Sequence, residues 1–151
     1  MRTRALTDKQ LKILYKALPP RDVLICKIMR QTGLRISDVL ALKKTDIASK
    51  MTVVEQKTKK KRTVTLTKAL VRDCMIYAMQ HKSLKLFTCD RSTFYRSLHH
   101  TALRFGWRNI SAHSIRKTYA RAYCRKHGME ATRKELRHDS IATTLIYLQD
   151  F

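Results

Sequence analysis

The chain has 151 residues, with 33 Lys and Arg against 11 Asp and Glu, for a formal net charge of +22. A 44% hydrophobic fraction with only 3 Gly and 2 Pro suits one globular core and excludes disordered and collagen-like classes. No apolar run approaches the roughly 20 residues of a membrane span, Met1-Arg2-Thr3-Arg4-Ala5-Leu6 lacks the apolar core of a secretory signal, and so strong a positive charge favours a polyanionic partner, nucleic acid first.

Thr7-x-x-Gln10 reads as a capping box opening a helix through Leu11, Ile13, Leu14 and Leu18, which Pro19-Pro20 ends. A second helix starts at Pro20, buries Leu24, Ile28 and Met29, and stops at Gly33, where a left-handed cap belongs. Arg35 lies just past that end, and Ser37 and Asp38 start a short third helix with Val39, Leu40 and Leu42 inward. Two β-branched stretches, Met51–Glu55 and Arg62–Leu66, flank a polar, lysine-rich run and predict a β-hairpin. Helices are then expected over 68–81, 92–106, 111–128, 130–136 and 141–148, with Thr67, Ser111 and Ser140 as caps and Gly106 and Gly128 as stops. The predicted class is α+β, mostly α-helical with a small antiparallel sheet. Cys26, Cys74, Cys89 and Cys124 show no zinc-ligand spacing and read as free, mostly buried thiols in a reducing compartment.

Three short segments stand out chemically. Arg35 sits where its guanidinium and the N–H groups of a helix start can surround an oxyanion. His113 and Arg116, spaced i, i+3, share one face of their helix. His138 lies in a turn nine residues before Tyr147, a phenol whose ordinary pKa near 10 needs cationic neighbours or a base before it can act as a nucleophile. Taken singly, each has a plainer reading: a solvated arginine, a helix-supporting pair, a packed tyrosine. Tyr119 and Tyr123 read as core packing, and His81, His99, His100 and His127 as structural or solvated.

Taken together and in order, the segments TGLRISDVLAL, QKTKKKRTVTL, HSIRKTYA and LRHDSIATTLIY resemble the motifs of the tyrosine recombinase, or phage integrase, catalytic domain, and the likeness runs from about Leu6 to Tyr147. The resemblance implies that fold, and a DNA recombinase or integrase forming a 3′-phosphotyrosyl intermediate. It assigns Arg35 and Arg116 to the non-bridging oxygens of the scissile phosphate, His138 to the same group, and Tyr147 as nucleophile. Lys57 becomes the acid that protonates the leaving 5′ oxygen, with Lys59, Lys60 and Lys61 as competitors; His113 takes a proton or holds the phosphate, and Asp38 buttresses the Arg35 loop. Lys59, Lys60, Lys61, Arg62 and Arg137 are the expected DNA contacts, Arg137 standing where the family usually has glycine.

The implied partner is double-stranded DNA, with homo-oligomeric assembly on it left open and no membrane, cofactor, metal or small-molecule substrate. Residues 1–151 are expected to form a single catalytic domain without a separate N-terminal core-binding domain, DNA-associated in the cytoplasm of a prokaryotic or virus-infected cell. The alternatives are topoisomerase-like strand relaxation of type IB, a catalytically idle DNA-binding regulator and a basic RNA-binding protein.

Overall fold

A computed structural model describes residues 3–138 and 140–149; Met1, Arg2, Asp139, Asp150 and Phe151 lie outside the described residues. Helix α1 (Asp8–Ala17) begins at the expected capping box, with the Thr7 hydroxyl accepting from the Gln10 N–H and the Gln10 side chain accepting from the Thr7 N–H. Helix α2 (Pro20–Thr32) is the centre of the fold. Ile25, Cys26, Ile28 and Met29 are buried on it, and α3 (Ile36–Leu40), α4 (Lys68–Ala78), α5 (Arg91–Arg104) and α6 (Ala112–His127) pack around it. Helices α7 (Met129–Leu136) and α8 (Ile141–Leu148) close the chain against α6. Among the described residues no helix is long and apolar enough to cross a membrane.

Strands β1 (Lys50–Val54) and β2 (Lys61–Thr65) pair antiparallel, from Lys50 opposite Thr65 to Val54 opposite Lys61. Alternation turns Met51 and Val53, and across from them Arg62 and Val64, towards the core. The same period carries on into the turn, so Glu55 also falls on the buried side. The turn is closed by two backbone bonds, Glu55 N–H to the Lys60 carbonyl and Lys59 N–H to the Glu55 carbonyl, with Lys59 left-handed at φ 60°.

The local signals place most boundaries within a few residues. Helix α4 ends at Ala78 rather than near His81, because His81 is drawn into another network: its carbonyl accepts from Lys44 and its ring bonds the Leu86 carbonyl. Helix α3 starts at Ile36, one residue earlier than expected, and Arg35 takes the N-cap position with extended backbone. Gly33 is left-handed at φ 70°, as expected, and for a second reason too: a Cβ there would collide with the Tyr119 ring. Cys26 and Cys74 are buried, Cys89 and Cys124 half-buried, and all four are free.

Candidate active site

Three junctions of the fold deliver the site. The break between α2 and α3 presents Arg35, the first turn of α6 presents His113 and Arg116, and the α7–α8 turn with the last helix presents His138 and Tyr147. Arg35, His113 and Arg116 line one cleft of about 740 Å³, whose far wall carries Arg91, Tyr95 and His99 of α5.

Arg116 is only 4% exposed. Its Nε donates to the Gly33 carbonyl at 2.8 Å and its Nη2 to the Leu136 carbonyl at 3.2 Å, so the guanidinium ties the α2 terminus to the α7 terminus. Those carbonyls are helix-end acceptors that need partners. Burial above all lowers the Arg116 pKa; Tyr147 opposes that fall, while Arg35 and Arg62 add to it.

Tyr147 packs edge-on to His138, ring centroids 5.3 Å apart, with the Arg116 guanidinium and the Lys117 ammonium each 5.7 Å from its ring. Its hydroxyl is buried, and Arg116 is the side chain that engages it. Burial pushes the phenol up to about 12, against the pull of Arg116 and Arg35. Tyr119 makes the instructive contrast. Burial also raises its pKa, but its hydroxyl donates to Glu135 at 2.7 Å and is spent on structure. The His138 ring is set by Thr144, whose Oγ1 lies 2.9 Å from Nδ1. His113 is exposed at the cleft, and partial desolvation, followed by Arg116, Lys117, Arg35 and Arg91, lowers its pKa, so the ring is neutral at neutral pH.

Lys57 stands apart from this cluster, exposed in the hairpin turn beside Lys59 and Lys60. The turn is rooted at Gln56, whose N–H donates to the buried Asp38 carboxylate at 2.7 Å, so Asp38 links α3 to the lysine-bearing turn. Lys61 is exposed at the start of β2.

One expected DNA contact needs correction. Arg62 is 5% exposed and points inward by strand alternation, donating to the Thr32 carbonyl and pairing with Glu135 at 2.6 Å; it is a core brace. Arg137 stays exposed at the surface while two bonds orient it, from Nε to Glu55 Oε1 at 3.1 Å and from Nη2 to the Lys61 carbonyl at 2.8 Å. Its backbone adopts the left-handed conformation itself, at φ 58°, without glycine's freedom. The residue missed by sequence reasoning is Glu55, 1% exposed, whose other oxygen accepts from Arg35 at 2.8 Å. The signal was present in the Met51-x-Val53-x-Glu55 alternation, which places a carboxylate on the inner face.

The phage integrase family matches residues 4–151. The chain belongs to that family. It is 30% identical over 139 residues to a probable integrase/recombinase, YoeC, of Bacillus subtilis (strain 168), covering 85% of this chain and 77% of the relative. Among solved structures, XerA recombinase superposes with a TM-score of 0.81 at 24% identity, covering 99% of this chain and 61% of that one. XerH site-specific recombinase bound to its palindromic difH substrate, in a post-cleavage complex, gives 0.75 at 21% identity, covering 97% and 50%. This chain therefore spans between half and two thirds of those two recombinases, and the shared fold is that of phage integrase catalytic domains.

Proposed function

We propose that this chain cuts and rejoins double-stranded DNA in site-specific recombination, through a 3′-phosphotyrosyl intermediate on Tyr147. The observation that carries this reading is the Tyr147 phenol packed against Arg116 and His138, in a protein of the phage integrase family. The phenol thus stands beside the guanidinium that would hold the phosphate. The family match runs over residues 4–151, and the reading treats them as one catalytic unit.

In this reading a duplex lies across the cleft and its scissile phosphate enters beside Arg35 and Arg116. In-line attack builds negative charge on the non-bridging oxygens, and two preorganised guanidinium groups stabilise that state more than the ground state. The Tyr147 oxygen bonds to phosphorus as the bond from phosphorus to the 5′ oxygen breaks. The Tyr147 proton passes to His113, whose lowered pKa keeps it neutral and able to accept. His138, fixed by Thr144, donates to the same phosphate. The leaving 5′ oxygen takes a proton from Lys57. Because the phosphotyrosyl bond replaces the broken one, the reverse attack by a 5′ hydroxyl rejoins the same or another strand without a nucleotide cofactor.

The test uses nicked duplexes that lose the short 5′ fragment after cleavage. The wild-type chain is expected to form an SDS-resistant protein–DNA adduct and Tyr147→Phe none, with equal duplex binding. An adduct that persists in Tyr147→Phe, or wild-type binding without any adduct, overturns the reading. On paired target sites, strand exchange supports recombination, whereas relaxation of supercoiled DNA without exchange marks a topoisomerase-like enzyme.

A further inference from the structure

A buried carboxylate left alone is strongly unfavourable, and Glu55 at 1% exposure is held by two cations rather than one. Oε2 accepts from Arg35 Nη1 at 2.8 Å and Oε1 from Arg137 Nε at 3.1 Å. These partners are far apart in the sequence. Arg35 caps α3, Arg137 sits in the left-handed turn that ends α7 and leads directly into His138, and Glu55 closes the hairpin two residues before Lys57. We propose that Glu55 is a positioning residue that fixes Arg35 and the Arg137-His138 turn in one register for the phosphate, an inference that rests on the recombinase reading of the site.

The geometry supports positioning over simple neutralisation. A guanidinium carries five donors in a rigid fork. Glu55 engages one of them, which fixes the plane of Arg35 while the side chain still lines the cleft. On the other side, Arg137 is gripped twice, by Glu55 and by the Lys61 carbonyl, so the position of its turn, and therefore of His138, is referred to the hairpin. The carboxylate also separates two guanidinium groups that would otherwise repel each other. Strand alternation explains why the carboxylate sits there: Glu55 continues the inward series Met51, Val53 beyond the last paired residue.

The experiment measures single-turnover cleavage of the nicked duplex by Glu55→Gln, Glu55→Asp, Arg35→Ala and the Arg35→Ala/Glu55→Gln double variant, with duplex affinity and thermal unfolding measured alongside. Glu55→Gln is expected to slow cleavage by about 10²-fold, the scale of a one-ångström misplacement at a reacting centre, at nearly unchanged affinity. Glu55→Asp, which keeps the charge, recovers part of the loss and guards against a folding defect in the amide. The double variant is expected to lose less than the product of the two single losses, because part of the Glu55 effect runs through Arg35 and part through the Arg137-His138 turn. Side-chain NMR supplies a readout independent of activity: the Arg137 Nε–H resonance should be resolved and slow to exchange in the wild type, and lost in Glu55→Gln. Undiminished or faster cleavage by Glu55→Gln, losses that multiply in the double variant, or an unaltered Arg137 resonance overturns the proposal. A wild-type chain that makes no adduct overturns the recombinase reading instead, and the Arg137 resonance then decides the role of Glu55 alone.

Discussion

The buried wall around Tyr147 and the hairpin turn that stands apart from it are built on opposite principles. On the wall, Arg116 is buried and fixed by the carbonyls of Gly33 and Leu136, Tyr147 is packed against it, and His138 is set by Thr144. Apart from it, Lys57 projects from an exposed hairpin turn anchored at its root by Asp38 and Glu55. Groups that must stabilise charge in the transition state gain from fixed geometry in a dry setting. A group that only delivers a proton to a leaving oxygen can wait in solvent, provided DNA brings that oxygen to it. On the proposed mechanism, the difference teaches that the phosphate clamp belongs to the fold, whereas the leaving-group acid belongs to the complex.

That contrast can be broken by substitution, and the largest effect is expected at the exposed turn. Lys57→Ala should slow cleavage by roughly 10²–10⁴-fold, the range of a lost general acid, with no change in thermal stability. A 5′-bridging sulfur at the scissile phosphate should restore the rate, because a thiolate leaves without a proton. If the rescue follows Lys59, Lys60 or Lys61 instead, the acid is that lysine.

Arg116→Ala should slow cleavage by about 10²–10³-fold and, unlike Lys57→Ala, should also destabilise the fold. Two helix-end carbonyls lose their partner, at about 1–3 kcal/mol for each buried group left unsatisfied. Denaturant titration checks this; unchanged stability would show that the buried wall is less integral than its hydrogen bonds imply. Gly33→Ala probes the same wall through the backbone. The added methyl collides with the Tyr119 ring at a left-handed position, so a loss of about 1–3 kcal/mol is expected, and a neutral substitution would contradict the close approach.

The smallest effect is in pH dependence. The folded-state pKa of His113 lies below its ordinary 6.5, so folding favours the neutral ring. That contribution is present above pH 6.5 and is lost as pH falls through the folded value. Cleavage should therefore hold its rate at pH 6.5 and decline only below it, and the decline should be absent in His113→Ala. A wild-type rate already halved above pH 6.5 would remove His113 as the base.

Much of this was legible because local chemistry dictates it. The Thr7 capping box, the left-handed Gly33 and the Ser111 and Ser140 caps each follow from a few neighbouring residues, and they place Arg35, Arg116 and Tyr147 at helix boundaries. The charge pairs were not legible. A count of basic residues makes Arg62 and Arg137 look like DNA contacts, but which carboxylate each meets depends on packing between segments some 73 and 82 residues apart. Arg137 shows the limit most clearly: a residue in a glycine position suggested either strain or DNA contact, and it is the Glu55 carboxylate across the site that holds its side chain.

The most direct measurement is to map the covalent bond itself. Trypsin cutting after Arg137 releases residues 138–151, in which Tyr147 is the sole tyrosine. Mass spectrometry of the digested protein–DNA adduct should find the 3′-phosphoryl nucleotide on Tyr147 of that peptide. A nucleotide on Tyr119, Tyr123 or any hydroxyl other than Tyr147 would contradict the assignment of the buried Tyr147 phenol as the nucleophile.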